Sequence, residues 1–172
     1  MQIIAVVGSM GSGKTLLMTY LAFQDFKDGR NVFSNYGLKF KFEPFNRKFL
    51  ENYSNDGSGL MDCTVCADEF HIWFDSRNSM SKSSKMISYM INQCRKRSVD
   101  FMFTTQTIEQ VDIRLRRAIS LIAYPKLYQV DKKRFTLKVK YVYPSGVSRV
   151  VLYKDIHEIF KLYDTNEIID FE

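Results

Sequence analysis

Residues 8–15 read Gly8-Ser9-Met10-Gly11-Ser12-Gly13-Lys14-Thr15, directly behind the apolar run IIAVV at 3–7 and ahead of LLMTYLAFQDF at 16–26. This octapeptide fits G-x-x-x-x-G-K-[ST] in full. Glycine lets the backbone wrap closely around phosphates with its N–H groups turned inward, and the helix that follows offers its positive amino terminus to the same anion. Gly8, Gly11, Ser12 and Gly13 are therefore expected to form the cradle. Lys14 would reach the β- and γ-phosphates of ATP, and the Thr15 hydroxyl would bind Mg²⁺. The flanks supply the context this reading needs. A continuous, partly β-branched run is the mark of a strand buried on both faces, and Leu16, Leu17, Tyr20 and Leu21 share one face of a helix that Gly29 closes.

Working outward, NVFSNYG (31–37), DCTVCADEF (62–70), VDFMFTTQ (99–106) and ISLIAYP (119–125) read as further strands, the last stopped by Pro125. A short helix is expected near 46–52. A second is expected near 82–97, with Ser79 and Ser81 as caps and Met86, Ile87, Met90, Ile91 and Cys94 as its core stripe. A third is expected in EQVDIRLRRA (109–118). The period then switches to two: Phe135, Leu137, Val139 and Tyr141 alternate with Thr136, Lys138 and Lys140, PSG turns, and VSRVVLY returns as a hairpin. A last helix is expected over 155–162. Strand–helix alternation with an appended hairpin predicts an α/β class, a mostly parallel sheet in one domain spanning 1–172.

Asp68 and Glu69 end the strand at 62–70. At a strand's carboxyl end, beside the phosphate loop, one carboxylate can hold Mg²⁺ and its neighbour can orient and deprotonate a water, a pairing that suits hydrolysis better than phosphate transfer to an acceptor. Gln106 ends the next strand, where an amide can donate to phosphate and accept from water. A small P-loop kinase would fit the length, with the basic residues at 114–117 imitating a lid, but no acceptor-binding segment is evident. No N-K-x-D segment marks a GTP switch protein.

The 25 basic and 19 acidic residues give a net charge of +6, unevenly placed. Bases dominate 75–97 and 126–140, whereas acids dominate 155–172. Clustered positive charge suits a polyanionic partner. Three cysteines argue against a disulfide framework, and the C-x-x-C of Cys63 and Cys66 lies in a strand that sends the two thiols to opposite faces, which argues against zinc. There is no signal peptide pattern and no stretch approaching the ~20 apolar residues of a membrane span.

The order of phosphate loop, ADEF, RKRSVDFMFTTQ (95–106) and LYDTNEI (162–168) resembles the FtsK–HerA superfamily of DNA-pumping ATPases. Within it the pattern is most similar to the A32-like viral packaging ATPases and the zonula occludens toxin (Zot)-like phage morphogenesis proteins. The resemblance covers residues 1–123 well and the hairpin poorly. It implies a P-loop NTPase fold of the RecA/ASCE type, a three-layer sandwich. It also implies a homo-oligomeric ring, hexamer or pentamer, acting on double-stranded DNA in viral genome packaging, with ATP at subunit interfaces. An arginine ahead of the fourth strand would act on a neighbour's nucleotide; Arg95, or Arg97 beside it, takes that role by the resemblance. Arg77, Arg114, Arg116 and Arg117 are rivals, and Lys82, Lys85, Lys132 and Lys133 are candidates to face DNA. The Zot-like alternative is an ATPase for virion assembly or extrusion, with viral capsid or membrane proteins as partners. Both readings imply a protein of the host cytoplasm or the virion.

Overall fold

A computed structural model describes residues 2–56, 60–74, 88, 90–92, 94–131 and 134–164. The run at 3–7 forms strand β1 (Ile3–Val7), all five residues buried. Alternation divides them. Ile3, Ala5 and Val7 enter one core cluster, while Ile4 and Val6 enter the other. β1 pairs in parallel with β5 (Asp100–Thr105) on one side and β6 (Leu121–Gln129) on the other. Beyond β5 lie β4 (Cys63–Ala67), β2 (Asn31–Ser34) and the two-residue β3 (Glu43–Pro44), all parallel. Beyond β6 lie β7 (Phe135–Val142) and β8 (Ser148–Tyr153), both antiparallel. The eight strands form one sheet in the order β3-β2-β4-β5-β1-β6-β7-β8.

Both faces of the parallel part are covered, which completes three layers. On one face α1 (Lys14–Lys27) buries Leu16, Leu17, Met18 and Ala22 against Val32, Cys66, Met102, Leu137 and Val139, with Tyr20 and Leu21 packed at its side. The other face receives α2 (Arg47–Asp56), helical residues at 88, 90–92 and 94–96, and α3 (Ile113–Ala118), through Leu50, Met90, Cys94 and Leu115. Cys63 and Cys66 point to opposite faces, are fully buried and are not disulfide-bonded. Burial pushes the Cys63 thiol up to about 11 and raises Cys66 further. Among the described residues no helix is long and apolar enough to cross a membrane.

Three expectations need correction. β6 does not stop at Pro125 but runs through it to Gln129, Pro125 standing opposite Val139. Pairing with β1 ends at Ala123, and the Pro125 carbonyl faces the phosphate loop, 3.8 Å from where a Cβ on Gly8 would stand. The missing N–H therefore points away from β7, where no ladder bond is lost. The segment 109–118 is not one helix. A 3₁₀ turn at Ile108–Gln110 is followed by extended Val111, and Asp112 then caps α3 by accepting from the Arg114 N–H at 2.8 Å. The terminal element, Ile156–Leu162, is 3₁₀ rather than α-helical and starts at Asp155, whose φ is +53°. The expected hairpin forms from β7 and β8, and β6 joins it along eight residues to make a three-stranded antiparallel meander. The expected roles of Arg77, Ser79, Ser81, Lys82, Lys85, Met86, Ile87, Lys132 and Lys133, and residues 165–168 of the tail motif, lie outside the described residues.

Candidate functional site

The carboxyl ends of β1, β4 and β5 meet at one edge of the sheet. β1 hands directly to the loop at 8–13, whose Gly8 N–H donates to the Thr105 carbonyl at 3.3 Å. Gly11 and Gly13 have φ of +74° and +92°, backbone that a side chain would strain. A Cβ on Gly8 would come within 2.6 Å of Ser12 Oγ, and that hydroxyl is buried with no hydrogen-bond partner. An orphaned buried hydroxyl in a glycine-rich loop ahead of a helix fits a phosphate oxygen. Lys14 is 93 % removed from solvent (7 % exposed); its Nζ donates to the Ser9 carbonyl at 3.2 Å and lies 3.9 Å from Glu69 Oε1.

Asp68 follows the last residue of β4. The Thr15 hydroxyl donates to Asp68 Oδ2 at 3.0 Å, and the Thr104 hydroxyl, fully buried on β5, donates to Oδ1. Burial raises the Asp68 carboxyl above its ordinary value, while these two hydroxyls and the Lys14 charge pull the other way. Thr104 Oγ1 also accepts from the Glu69 N–H at 2.8 Å. Asn35, just past β2, clamps the same turn from the other side. Its Nδ2 donates to the Asp68 carbonyl at 2.9 Å, and its Oδ1 accepts from the Asp68 N–H at 2.7 Å. Together these bonds hold Glu69 at a left-handed φ of +48°. Glu69 Oε2 lies 3.5 Å from His71 Nδ1, which is buried without a hydrogen-bond partner.

The structure thus brings Ser12, Lys14, Thr15, Asp68 and Glu69 together. Gln106 follows β5 at the same edge, next to Gly8, with an exposed side chain. Arg95 and Arg97 are elsewhere. The Arg97 carbonyl accepts from the Asp62 N–H at 2.8 Å, at the amino-terminal edge of β4 and β5, and Arg95 is exposed on the preceding helix. Six residues of β5 separate that edge from the phosphate loop, about 17 Å along the strand. Neither arginine stands near the phosphate loop of its own chain. Of the rivals, Arg114 is engaged by Asp112 at 3.0 Å.

Asn35, Thr104 and His71 were not expected from the sequence. Thr104 sits in a quoted strand end, but its partners are 35 and 36 residues away. Nor was the wall of the cavity of about 260 Å³ beside the loop expected, where Tyr36, Leu127, Phe160, Tyr163 and Asp164 join Lys14, Thr15 and Asp68. The LYDT motif accounts for part of that wall. The Lys39 N–H donates to the Leu162 carbonyl, and Tyr163 bridges to Leu38.

Among the described residues no cluster of His, Cys, Asp and Glu could hold a metal ion unaided. One hydroxyl and one carboxylate are a fitting donor set for Mg²⁺, which keeps waters and takes phosphate oxygens for the rest of its shell.

A parallel sheet that delivers G-x-x-x-x-G-K-T from its central strand into a helix, with a carboxylate held against the Thr hydroxyl, defines the P-loop NTPase fold. The chain belongs to the zonular occludens toxin (Zot) family, whose model matches residues 56–167. Solved structures agree with the fold. The N-terminal domain of zonular occludens toxin from Neisseria meningitidis is similar at TM-score 0.66 and 19% identity, covering 95% of this chain and 98% of that one. The flagellar accessory protein FlaH of Methanocaldococcus jannaschii gives 0.61 and 10%, over 91% and 87%. The genome packaging NTPase B204 of Sulfolobus turreted icosahedral virus 2, solved with ATP-gammaS, gives 0.59 and 12%, over 87% and 96%. The search of curated proteins returns no match.

Proposed function

We propose that this chain is an ATP-hydrolysing motor that moves double-stranded DNA, most simply in viral genome packaging, as a homo-oligomeric ring with nucleotide at its subunit interfaces. The observation that carries the reading is the cluster Lys14–Thr15–Asp68–Glu69 at the mouth of the phosphate loop. The loop amides and Lys14 bind and orient the β- and γ-phosphates. Thr15 and Asp68 would hold Mg²⁺, which when bound neutralises charge on the phosphate oxygens. Glu69 orients a water and takes its proton as the water oxygen bonds to the γ-phosphorus and the bond to ADP breaks. Gln106 would contact the γ-phosphate or the water. Arg95 or Arg97, too far from the phosphates of its own subunit, would supply positive charge to a neighbour's.

Family membership supports a second reading in which the same hydrolysis drives virion assembly or extrusion, with viral capsid or membrane proteins as partners. Either work would be done in the host cytoplasm or on the virion. ATP turnover measured with and without duplex DNA, alongside mass in solution, separates the two. Stimulation by DNA with a ring-sized mass is expected for the motor, and hydrolysis indifferent to DNA favours assembly. Lys14→Ala should abolish turnover. Arg95→Ala subunits mixed with Lys14→Ala subunits should recover part of it, and no recovery counts against action in trans.

A further inference from the structure

The meander β6–β7–β8 has two unlike faces. Its inner face, with Leu127, Leu137, Val139, Tyr141 and Val151, packs on α1 and the phosphate loop. Its outer face carries Tyr124, Lys126 and Tyr128 on β6, then Thr136, Lys138 and Lys140 on β7, then Ser148, Val150 and Leu152 on β8. Tyr124 and Tyr128 are 39 % and 40 % exposed, Val150 and Leu152 over half, and all three lysines are exposed. Lys126 stands directly opposite Lys138, and Tyr124 opposite Lys140. The Lys126 ammonium lies 5.3 Å from the Tyr128 ring centroid. None of the three lysines pairs with a described carboxylate. The one acid between Leu121 and Tyr153, Asp131, is bound to Arg134 at 2.6 Å.

Like charges directly opposite on neighbouring strands destabilise a sheet. Lysines often appear on sheets to stop edge-to-edge aggregation, and Lys126 stands where β6 has left β1 and keeps only β7 as a neighbour; Lys138 and Lys140, however, occupy β7, which is paired on both sides, while the edge strand β8 shows uncharged Ser148, Val150 and Leu152 on this face. An anionic ligand accounts for the arrangement. The tyrosines say which kind. Two rings about 13 Å apart along one strand, with an ammonium between them and a second row of ammoniums about 5 Å to the side, suit bases that stack and a backbone that follows the strand.

We propose that this outer face binds single-stranded nucleic acid, with Tyr124 and Tyr128 stacking on unpaired bases and Lys126, Lys138 and Lys140 meeting the phosphates. The proposal rests on the reading of the chain as a nucleic-acid motor and adds a face that takes unpaired strand to one that moves duplex. A duplex keeps its bases stacked on one another and offers these rings nothing to stack on.

The test is fluorescence anisotropy of the full chain with a labelled oligothymidylate of about 20 nucleotides, longer than the ~4–16 that a small fold typically covers. The oligonucleotide should bind. Raising salt fourfold should weaken wild type about 20-fold more than it weakens the Lys126→Gln/Lys138→Gln/Lys140→Gln variant, the loss of about 0.7 counterion per phosphate contact at three contacts. Tyr124→Ala/Tyr128→Ala should weaken binding at least about fivefold, whereas the double Phe variant should not. Blunt duplex should compete poorly and should not feel the tyrosine change. Absent binding, an unchanged salt slope in the lysine variant, or a tyrosine pair without effect each overturns the proposal. So does capture by phosphatidylserine vesicles in place of the oligonucleotide, or a lysine variant that alters only the mass of the assembly and so marks the face as a contact between copies. ATP turnover without nucleic acid should be unchanged in these variants. A wild type that binds the oligonucleotide but never hydrolyses ATP sinks the motor and leaves the binding face standing.

Discussion

Asn35 makes no contact with the phosphate loop, yet replacing it by alanine should damage the site. Its amide exchanges two hydrogen bonds with the backbone of Asp68, at 2.7 and 2.9 Å. Each is worth about 1 kcal/mol net, and a buried N–H left without a partner adds about 1–3 kcal/mol. Asn35 is half-buried, so water can reach part of the gap, and the lower end of the sum, about 2 kcal/mol, is the expected loss. In a domain of this size that is a fall in Tm of about 4–8 °C. The second consequence is chemical. Glu69 sits at a φ of +48°, a conformation that costs about 1–2 kcal/mol and is held by Thr104 on one side and the Asn35 clamp on the other. With one side released, Glu69 relaxes, and misplacement of a catalytic group by about 1 Å lowers turnover by about 100-fold. Urea unfolding and steady-state ATP turnover read the two effects separately. A variant that loses less than about 0.5 kcal/mol and turns over normally would show that the clamp holds nothing.

Glu69→Gln should bind ATP with near-normal affinity and stall, because an amide can still hold a water but cannot take its proton; normal hydrolysis would remove the role given to Glu69. Gly13→Ala should destabilise by more than about 1 kcal/mol in urea melts and weaken nucleotide binding, since φ is +92° and the new Cβ would meet Leu137 Cδ1 at 2.8 Å. Stability should fall in alkali. Burial raises the Cys63 thiol to about 11 and the Cys94 thiol to about 12 from an ordinary 9.0, so the folded state holds these protons more tightly than the unfolded one. Their contribution is whole below pH 9.0 and is lost as pH climbs, through about 11 for Cys63 and about 12 for Cys94, at about 1.4 kcal/mol per pH unit for each thiol within its window. Cys63→Ala should flatten that slope by one thiol's share; an unchanged slope would refute the assignment.

What could be read from the sequence is what neighbouring residues decide. The run at 3–7 is apolar at every position, so burial on both faces follows from alternation alone, and the same rule separates Cys63 from Cys66. The glycines at 11 and 13 announce their left-handed backbone. What could not be read depends on residues far away. Whether a proline ends a strand turns on which side of it has a neighbour, and β1 has already left the ladder when β6 reaches Pro125. An asparagine after a strand resembles any turn residue, and only the return of the chain 33 residues later makes Asn35 a clamp. The break between Ile108–Gln110 and α3 was closer to hand. Asp112 directly before IRLRRA is a cap signal inside the stretch expected to form one helix.

The strands whose arrangement was least legible are the ones the phosphate loop rests on. Gly13 turns the loop into α1, and the space a Cβ would need there is filled by Leu137 of β7, with Leu127 of β6 alongside at 3.6 Å. Both side chains belong to the inner face of the meander, in the same cluster as Leu16 and Leu17 of α1. Close-packed interiors have no slack to absorb a displacement. Any change in the loop's shape would therefore press on β6 and β7, whose other face presents Tyr124, Lys126, Tyr128, Lys138 and Lys140 to solvent. The wall between the two is a single sheet thick. Leu137, packed beside Gly13 on one face and followed by Lys138 on the other, is the residue through which the loop and that surface would be coupled.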